Sequence, residues 1–501
     1  MSDQELQAYQ RLISPARIRP SSVPGRDLYT ESESDRARLI FSSPFRRLQQ
    51  KAQVFSLEDN AAVRSRLTHS FEVSQIGRFV AQQIVADLRR RSLVDLKSAG
   101  LSETFGNFVE TACLMHDLGN PPFGHFGETA ISTWFSTEGR KALRESLSVE
   151  SEELELPIAN KLIRDYAVFD GNCQGLRIAT RLQWNLDEFG LNLTCTALAS
   201  FLKYVCGSDD IVQGNPIKKK AGYFNSERST VHTIWDTLGM RHRTRHPLTY
   251  VMEAADDIAY CVSDIEDAIE KGFFSEREFF TILKSDWKDV SSGTTQSSSD
   301  KVSMLLEDSS KEENFAIESS AFTKFRTGMA RLLSEQASTT YVDQHEHVLD
   351  GTYGPLLDTQ SEGASILGLL KRFAVRRIYS DRTIAQTELA GHAAIRGILD
   401  HHRCLLTARR ERFDAIRAGK SLDSESKPIA VEKKLVSLLP KKYLRSYAHA
   451  VASITQSGQD ANELEWYYRV QLIVDYISGM TDDFALATYR GLSGIRLRNE
   501  T

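Results

Sequence analysis

A histidine and an aspartate stand side by side at positions 116 and 117, inside LMHDLGNPPFGHFGE (114–128). Such a neighbouring pair can turn an imidazole nitrogen and a carboxylate oxygen toward one metal ion. Two further residue types fit the same chemistry. His69, in RSRLTHSFEV (64–73), follows a basic turn and opens an amphipathic stretch. Asp256, in EAADDIAY, sits among apolar neighbours, where a carboxylate is costly to bury unless it is paired or metal-bound. Two imidazoles and two carboxylates form a mixed nitrogen and oxygen donor set. That set suits octahedral Mn, Fe, Co, Ni or Mg better than a structural zinc site. Each piece alone is weak, because a His-Asp pair arises by chance and a lone histidine is usually a solvated or core residue.

The stretch 247–274 adds a second pattern. Asp256, Tyr260 and Asp264 fall at i, i+4 and i+8, so they share one face of a helix. A polar stripe facing solvent would look the same. Ala255, Ala259 and Val262 flank the stripe closely and point instead to a helix with little exposed surface.

The elements that must position these residues read as helices. Apolar residues recur at three- and four-residue spacings over 70–91, 107–118 and 247–274. Strand-like alternation is rare, with 51–57 and 220–226 the best candidates. An all-α fold with a few short strands is therefore predicted, a helical bundle with a helical C-terminal region. The acidic stretch 143–157 reads as a surface insertion, 290–301 as a Ser/Thr-rich connector and 417–428 as a polar loop. Residues 1–285 are expected to form the catalytic part and 302–501 a helical part packed on it.

Composition narrows the class. The 501 residues carry a net charge of −5, so no global basic field points to nucleic acid or to an anionic membrane. Six scattered cysteines without CxxC spacing argue against structural zinc and a disulfide framework, and for reduced thiols. The N-terminus lacks an apolar signal region, and no run reaches the roughly 18 apolar residues of a membrane span. A soluble, cytoplasmic protein is expected.

Longer strings carry a resemblance. FRRLQQKAQVF (45–55), RSRLTHSFEV, LMHDLGNPPFGHFGE, MEAADDIAYCVSDIEDA (252–268) and YISGMTD (476–482) together resemble bacterial deoxyguanosinetriphosphate triphosphohydrolases, a branch of the HD phosphohydrolases. The strings occur in family order and span most of the chain. The resemblance implies His69, His116, Asp117 and Asp256 as metal ligands and His125 with Glu128 as the catalytic pair. It implies Tyr260 and Asp264 at the deoxyribose 3′-hydroxyl, with Gln53 also on the sugar. Arg66, Lys203, Tyr204 and Lys220 match phosphate-binding positions, and Glu388 matches a base-reading carboxylate. Two departures stand out. Asn120 replaces the second histidine of many HD enzymes, and Val168 and Asp170 replace the more usual His and Glu near 170.

The implied reaction is hydrolysis of dGTP, or of other dNTPs, to the deoxynucleoside and inorganic triphosphate. A divalent ion, Mn or Mg and alternatively Co, Fe or Ni, would activate water for attack at the α-phosphate. His125 would protonate the leaving oxygen with Glu128 as its partner. A plainer reading makes Glu128 a first-turn residue favoured by the helix dipole. Lys203 and Lys220 could likewise be ordinary surface cations. The resemblance also implies a homo-oligomer, with a hexamer favoured, and single-stranded DNA as an effector in some members. Trp466, Tyr467 and Tyr468 fit either a helical interface or a core. Two rival readings remain, an HD nucleotidase or phosphodiesterase and a non-catalytic nucleotide- or ssDNA-binding protein. Products separate them, since only the first reading releases intact triphosphate.

Overall fold

The computed structural model describes residues 3–149, 157–184, 186–291, 299–317, 320–357, 361–423 and 425–495. Helices dominate, beginning with those that carry the site. Helix α1 (Arg66–Arg90) starts at a reciprocal cap: the Ser65 hydroxyl accepts from Thr68 N–H, and the Thr68 side chain accepts from Ser65 N–H. Arg89 and Arg90 close it at the negative end of the helix dipole. Helix α2 (Ser102–Met115) runs buried along nearly its whole length and delivers His116 at its C-terminus. Helix α3 (Gly124–Trp134) begins after a sharp turn at Phe123. Helix α4 (Pro247–Glu270) opens with proline at its first position and the His246 side chain accepting from Leu248 N–H.

Helices α1, α2 and α4 pack against one another. Val73, Val80 and Ile84 meet Phe105, Phe108, Val109 and Ala112, and Val251, Ala255 and Ile258, all within the buried core. Each large apolar side chain removed from water contributes roughly 1.5–3 kcal/mol. This three-helix core is rigid enough to hold polar groups at fixed separations. Helix α5 (Ser320–Asp343) covers α1 and α4, and α6 (Glu362–Ala374) lies along α4. Helix α7 (Arg382–Thr407) packs on α3. Helices α8 (Gly458–Ser478) and α9 (Asp482–Leu492) pack in turn on α7.

A buried ion network ties α8 to the helices around the site. Arg177 pairs with Glu227 at 2.9 Å and with Asp475 at 2.8 Å, all three almost without exposure. Breaking such a network by removing one partner typically costs roughly 3–5 kcal/mol. Trp466 and Tyr467 are core residues, the indole donating to the Leu406 carbonyl and the phenol to Asp165.

The strand-like stretches behave differently from their pattern. Residue 52 makes one isolated bridge to Ser65, and 220–224 is irregular. Alternation needs a neighbouring strand to become a ladder, and these loops lie against helices instead. Of the expected loops, 418–423 and 425–428 are turn-rich with an isolated Leu422–Pro428 bridge, 417 ends a helix, and 424 lies outside the described residues. Residues 150–156 of the acidic stretch and 292–298 of the connector lie outside the described residues; 143–147 ends a helix.

Candidate active site

Four side chains from three helices converge. Nε2 of His69, from the first turns of α1, lies 3.6 Å from Asp256 Oδ1, and Nε2 of His116 lies 3.5 Å from the same oxygen. His116 Nε2 is also 3.4 Å from Asp117 Oδ2. The ligating atoms of His69, His116 and Asp117 all fall within 4.8 Å of one another.

The nitrogens are prepared for a cation. His116 Nδ1 is 2.7 Å from the Cys113 carbonyl, which can only accept, so Nδ1 carries a proton and Nε2 is the ring nitrogen turned toward the site. Nε2 of His116 and both ring nitrogens of His69 are buried without a hydrogen-bond partner. An unpartnered buried polar atom costs roughly 1–3 kcal/mol. Two such nitrogens facing two carboxylates form a donor set that fits a divalent ion.

Cations hold the carboxylates ionised. Burial opposes the charge on Asp256, but His116 and Lys203 outweigh it and keep the carboxyl well below its ordinary range. Lys203 Nζ sits 3.4 Å from Asp256 Oδ2. Asp117 is likewise held low against burial, first by Arg66. Arg66 donates to Asp117 Oδ2 at 2.9 Å and reaches Gln53 Oε1 at 3.4 Å. Its guanidinium also lies against Gly124, where an added Cβ would sit 2.7 Å from Nη2. Gly124 has φ +52°, a left-handed backbone that suits glycine.

The second half of the site is a dyad. His125 Nδ1 is 2.7 Å from Glu128 Oε2, and Glu128 Oε1 accepts from Gly171 N–H at 2.7 Å. The His125 side chain is 81% exposed while that of Glu128 is 11% exposed. Glu128 is thus fixed from behind and orients a ring whose other nitrogen faces open space. This bonding goes beyond a helix-dipole role for Glu128.

The sugar candidates meet an unexpected partner. The Tyr379 hydroxyl lies 2.7 Å from that of Tyr260 and donates to Asp264. Burial is the main cause that lifts the Asp264 carboxyl to about 7. Lys220 pairs with Asp170 at 2.7 Å, and Asp170 caps the helix that begins at Gly171, the residue bonded to Glu128. Tyr204 is buried beside Lys203. Glu388, on α7, has its carboxyl raised above the ordinary value by burial, with nearby His125 opposing the shift. Direct contacts join His69, His116, Asp117, Asp256, Arg66, Gln53 and Lys203, while His125 with Glu128, Tyr260 and Asp264 with Tyr379, and Lys220 with Asp170 form separate groups.

Three residues escaped the sequence reading. Tyr379 has no local signal, because its partners lie 115 and 119 residues away. Lys51 is buried, lowered to about 7 first by burial, and donates to the carbonyls of Asn120 and Ser478. Asp482 accepts from Ala52 N–H at 3.1 Å and Phe123 N–H at 3.0 Å. Both lie within strings that carried the resemblance, but nothing in the strings indicated what they hold.

A helical bundle that gathers His, His-Asp and Asp around one cation-ready point is that of an HD-type metal-dependent phosphohydrolase. An HD domain model matches residues 66–166, and a phosphohydrolase-associated domain model matches 431–491. The deoxyguanosinetriphosphate triphosphohydrolase of Enterobacter sp. (strain 638) is 36% identical over 489 residues, covering 92% of this chain and 94% of that protein. That of Klebsiella pneumoniae (strain 342) is 34% identical, covering 97% of each chain. A probable deoxyguanosinetriphosphate triphosphohydrolase of Pseudomonas aeruginosa is 35% identical, covering 94% of each. The chain belongs to the deoxyguanosinetriphosphate triphosphohydrolase family.

Proposed function

We propose that this protein hydrolyses dGTP, and other dNTPs to a lesser extent, to the deoxynucleoside and inorganic triphosphate. The observation that carries the reading is the pair of unpartnered, buried Nε2 atoms of His69 and His116 facing Asp117 and Asp256. These four residues would hold one divalent ion, Mn or Mg by the mixed donor set. When bound, the ion supplies Lewis acidity toward a phosphate oxygen and toward water.

The chain's own groups account for the rest. Arg66, Lys203 and Lys220 offset the charge of the triphosphate, Arg66 through two nitrogens and the lysines as point charges. Tyr204 closes the wall beside Lys203. In the overall reaction, water oxygen bonds to the α-phosphorus, the P–O5′ bond breaks with its electron pair on O5′, and one proton passes to O5′. His125 Nε2 delivers that proton while Glu128 keeps the ring oriented. Asp264 accepts from the 3′-hydroxyl, and the Gln53 side-chain amide donates to the same oxygen. The Tyr260 ring beneath the sugar leaves no partner for a 2′-hydroxyl, which would then be buried unpaired. Glu388 offers two acceptor oxygens to the N1–H and N2–H donors of guanine.

The reading includes a homo-oligomer, supported by exposed Phe41, Phe71 and Phe79 and checked by light scattering. All six cysteines are free, which supports a reducing compartment. No helix among the described residues is long and apolar enough to cross a membrane.

The test is incubation with each dNTP and Mn or Mg, with nucleoside and polyphosphate products resolved. Intact triphosphate, formed fastest from dGTP, is the expected result. Pyrophosphate or orthophosphate as the first product would overturn it in favour of a nucleotidase or phosphodiesterase.

A further inference from the structure

Asp482 is the first residue of α9 and is 3% exposed. Its own helix does not need it as a cap, because the Thr481 side chain accepts from Phe484 N–H. Its two oxygens go elsewhere. Oδ1 accepts from Phe123 N–H, two residues before His125, and Oδ2 accepts from Ala52 N–H, next to Gln53. One carboxylate therefore clamps two separate loops that carry proposed substrate contacts.

The Phe123 turn needs holding. Phe123 has φ +60° and ψ 23°, a left-handed conformation that a side chain disfavours. Its ring presses on α7 at Gly391, where an added Cβ would lie 2.2 Å from Phe123 Cγ. The turn is thus fixed by Asp482 on its N–H and by the bare backbone of Gly391 on its ring. Both come from C-terminal helices, whereas His125 and Gln53 come from the N-terminal half.

We infer that Asp482 is a positioning residue for leaving-group protonation: it sets the Phe123 turn, and through it the place of His125. The inference rests on His125 being the general acid of the reading above. It gives the C-terminal helices a share in the chemical step rather than in folding alone.

The experiment compares dGTP with its analogue bearing sulfur in place of the bridging 5′-oxygen. A thiolate leaves without a proton, so a misplaced acid matters little for the analogue. Full-length wild type, Asp482→Asn, Gly391→Ala and His125→Ala are assayed with Mn on both substrates. Asparagine keeps the shape but offers only one acceptor oxygen, so one N–H loses its partner. Asp482→Asn is expected to lower kcat on dGTP by about 10- to 100-fold with KM little changed. Turnover of the analogue should stay within about threefold of wild type, and Mn uptake should be unchanged. Gly391→Ala, which disturbs the same turn while leaving the carboxylate intact, should give the same pattern, and both should mimic His125→Ala. Equal losses on both substrates in Asp482→Asn, or no loss on either, overturn the inference. If His125→Ala itself loses both equally, the acid assignment fails. That failure is read from His125→Ala and is distinct from failure of the inference alone, in which His125→Ala loses dGTP turnover selectively and Asp482→Asn does not.

Discussion

The Tyr379 hydroxyl bonds to Asp264, the carboxylate that is proposed to receive the sugar's 3′-hydroxyl. It also touches the Tyr260 hydroxyl at 2.7 Å. Asp264 Oδ1 is buried without a partner, and we propose that the nucleotide's hydroxyl displaces the tyrosine from Oδ2. Tyr379→Phe removes the competitor. The exchanged bond is worth about 1 kcal/mol, so KM for dGTP should fall by about fivefold. The preference for dGTP over its 3′-deoxy analogue should rise in step. Steady-state kinetics on both substrates check this, and an unchanged KM with an unchanged preference would show that Tyr379 stays in place when substrate binds.

Tyr260 shares that wall and is proposed to exclude a 2′-hydroxyl. Tyr260→Ala should raise the kcat/KM of GTP relative to dGTP by about 10-fold or more, since one unpaired buried hydroxyl is penalised by roughly 1–3 kcal/mol. Competition assays with both nucleotides measure the ratio. A ratio equal to wild type removes Tyr260 from the selection mechanism.

The unpartnered nitrogens of His69 give a prediction about the ion. Anything that binds only the folded state raises Tm by mass action. Manganese should therefore raise the Tm of the wild type, and the rise should vanish in His69→Ala and Asp256→Asn. Activity in these variants should fall by about a hundredfold or more. Scanning calorimetry with and without metal, beside elemental analysis, provides the readout. A wild-type-sized metal shift in both variants would place the ion elsewhere.

Asp264 makes stability depend on pH. Its folded carboxyl titrates near 7, against an ordinary value of 3.8, because burial disfavours the charge. Between these values the folded state holds a proton that the unfolded state has released. Stability from this group is therefore full below about pH 4 and is lost as pH rises toward 7, by up to roughly 4 kcal/mol. Asp264→Asn cannot ionise, so it should be more stable relative to wild type at pH 8 than at pH 4.5. Urea unfolding at the two values decides it, and equal differences would mean that Asp264 is ionised at little cost.

Much of this was legible in the residues. Helical periodicity located α1, α2 and α4 to within a few residues, because an amphipathic or fully apolar helix leaves its period in the chain. The i, i+4, i+8 spacing put Asp256, Tyr260 and Asp264 on one face, and Tyr260 and Asp264 share the Tyr379 hydroxyl. The strand-like stretches misled, since alternation marks only a surface that pairs or not according to its neighbours.

The sequence by itself determined the donor types, their order and the helices that carry them, because those properties are local: a helix period, a cap, a proline, a string of residues around His116. Only the tertiary structure decided that Asp482 would clamp the loops of Gln53 and His125, that Tyr379 would reach Asp264, and that Lys203 would stand beside Asp256. The physical reason is distance along the chain. These contacts join residues 53 to 430 positions apart, and packing of whole helices, not any local pattern, sets which polar groups are left to satisfy one another in the interior.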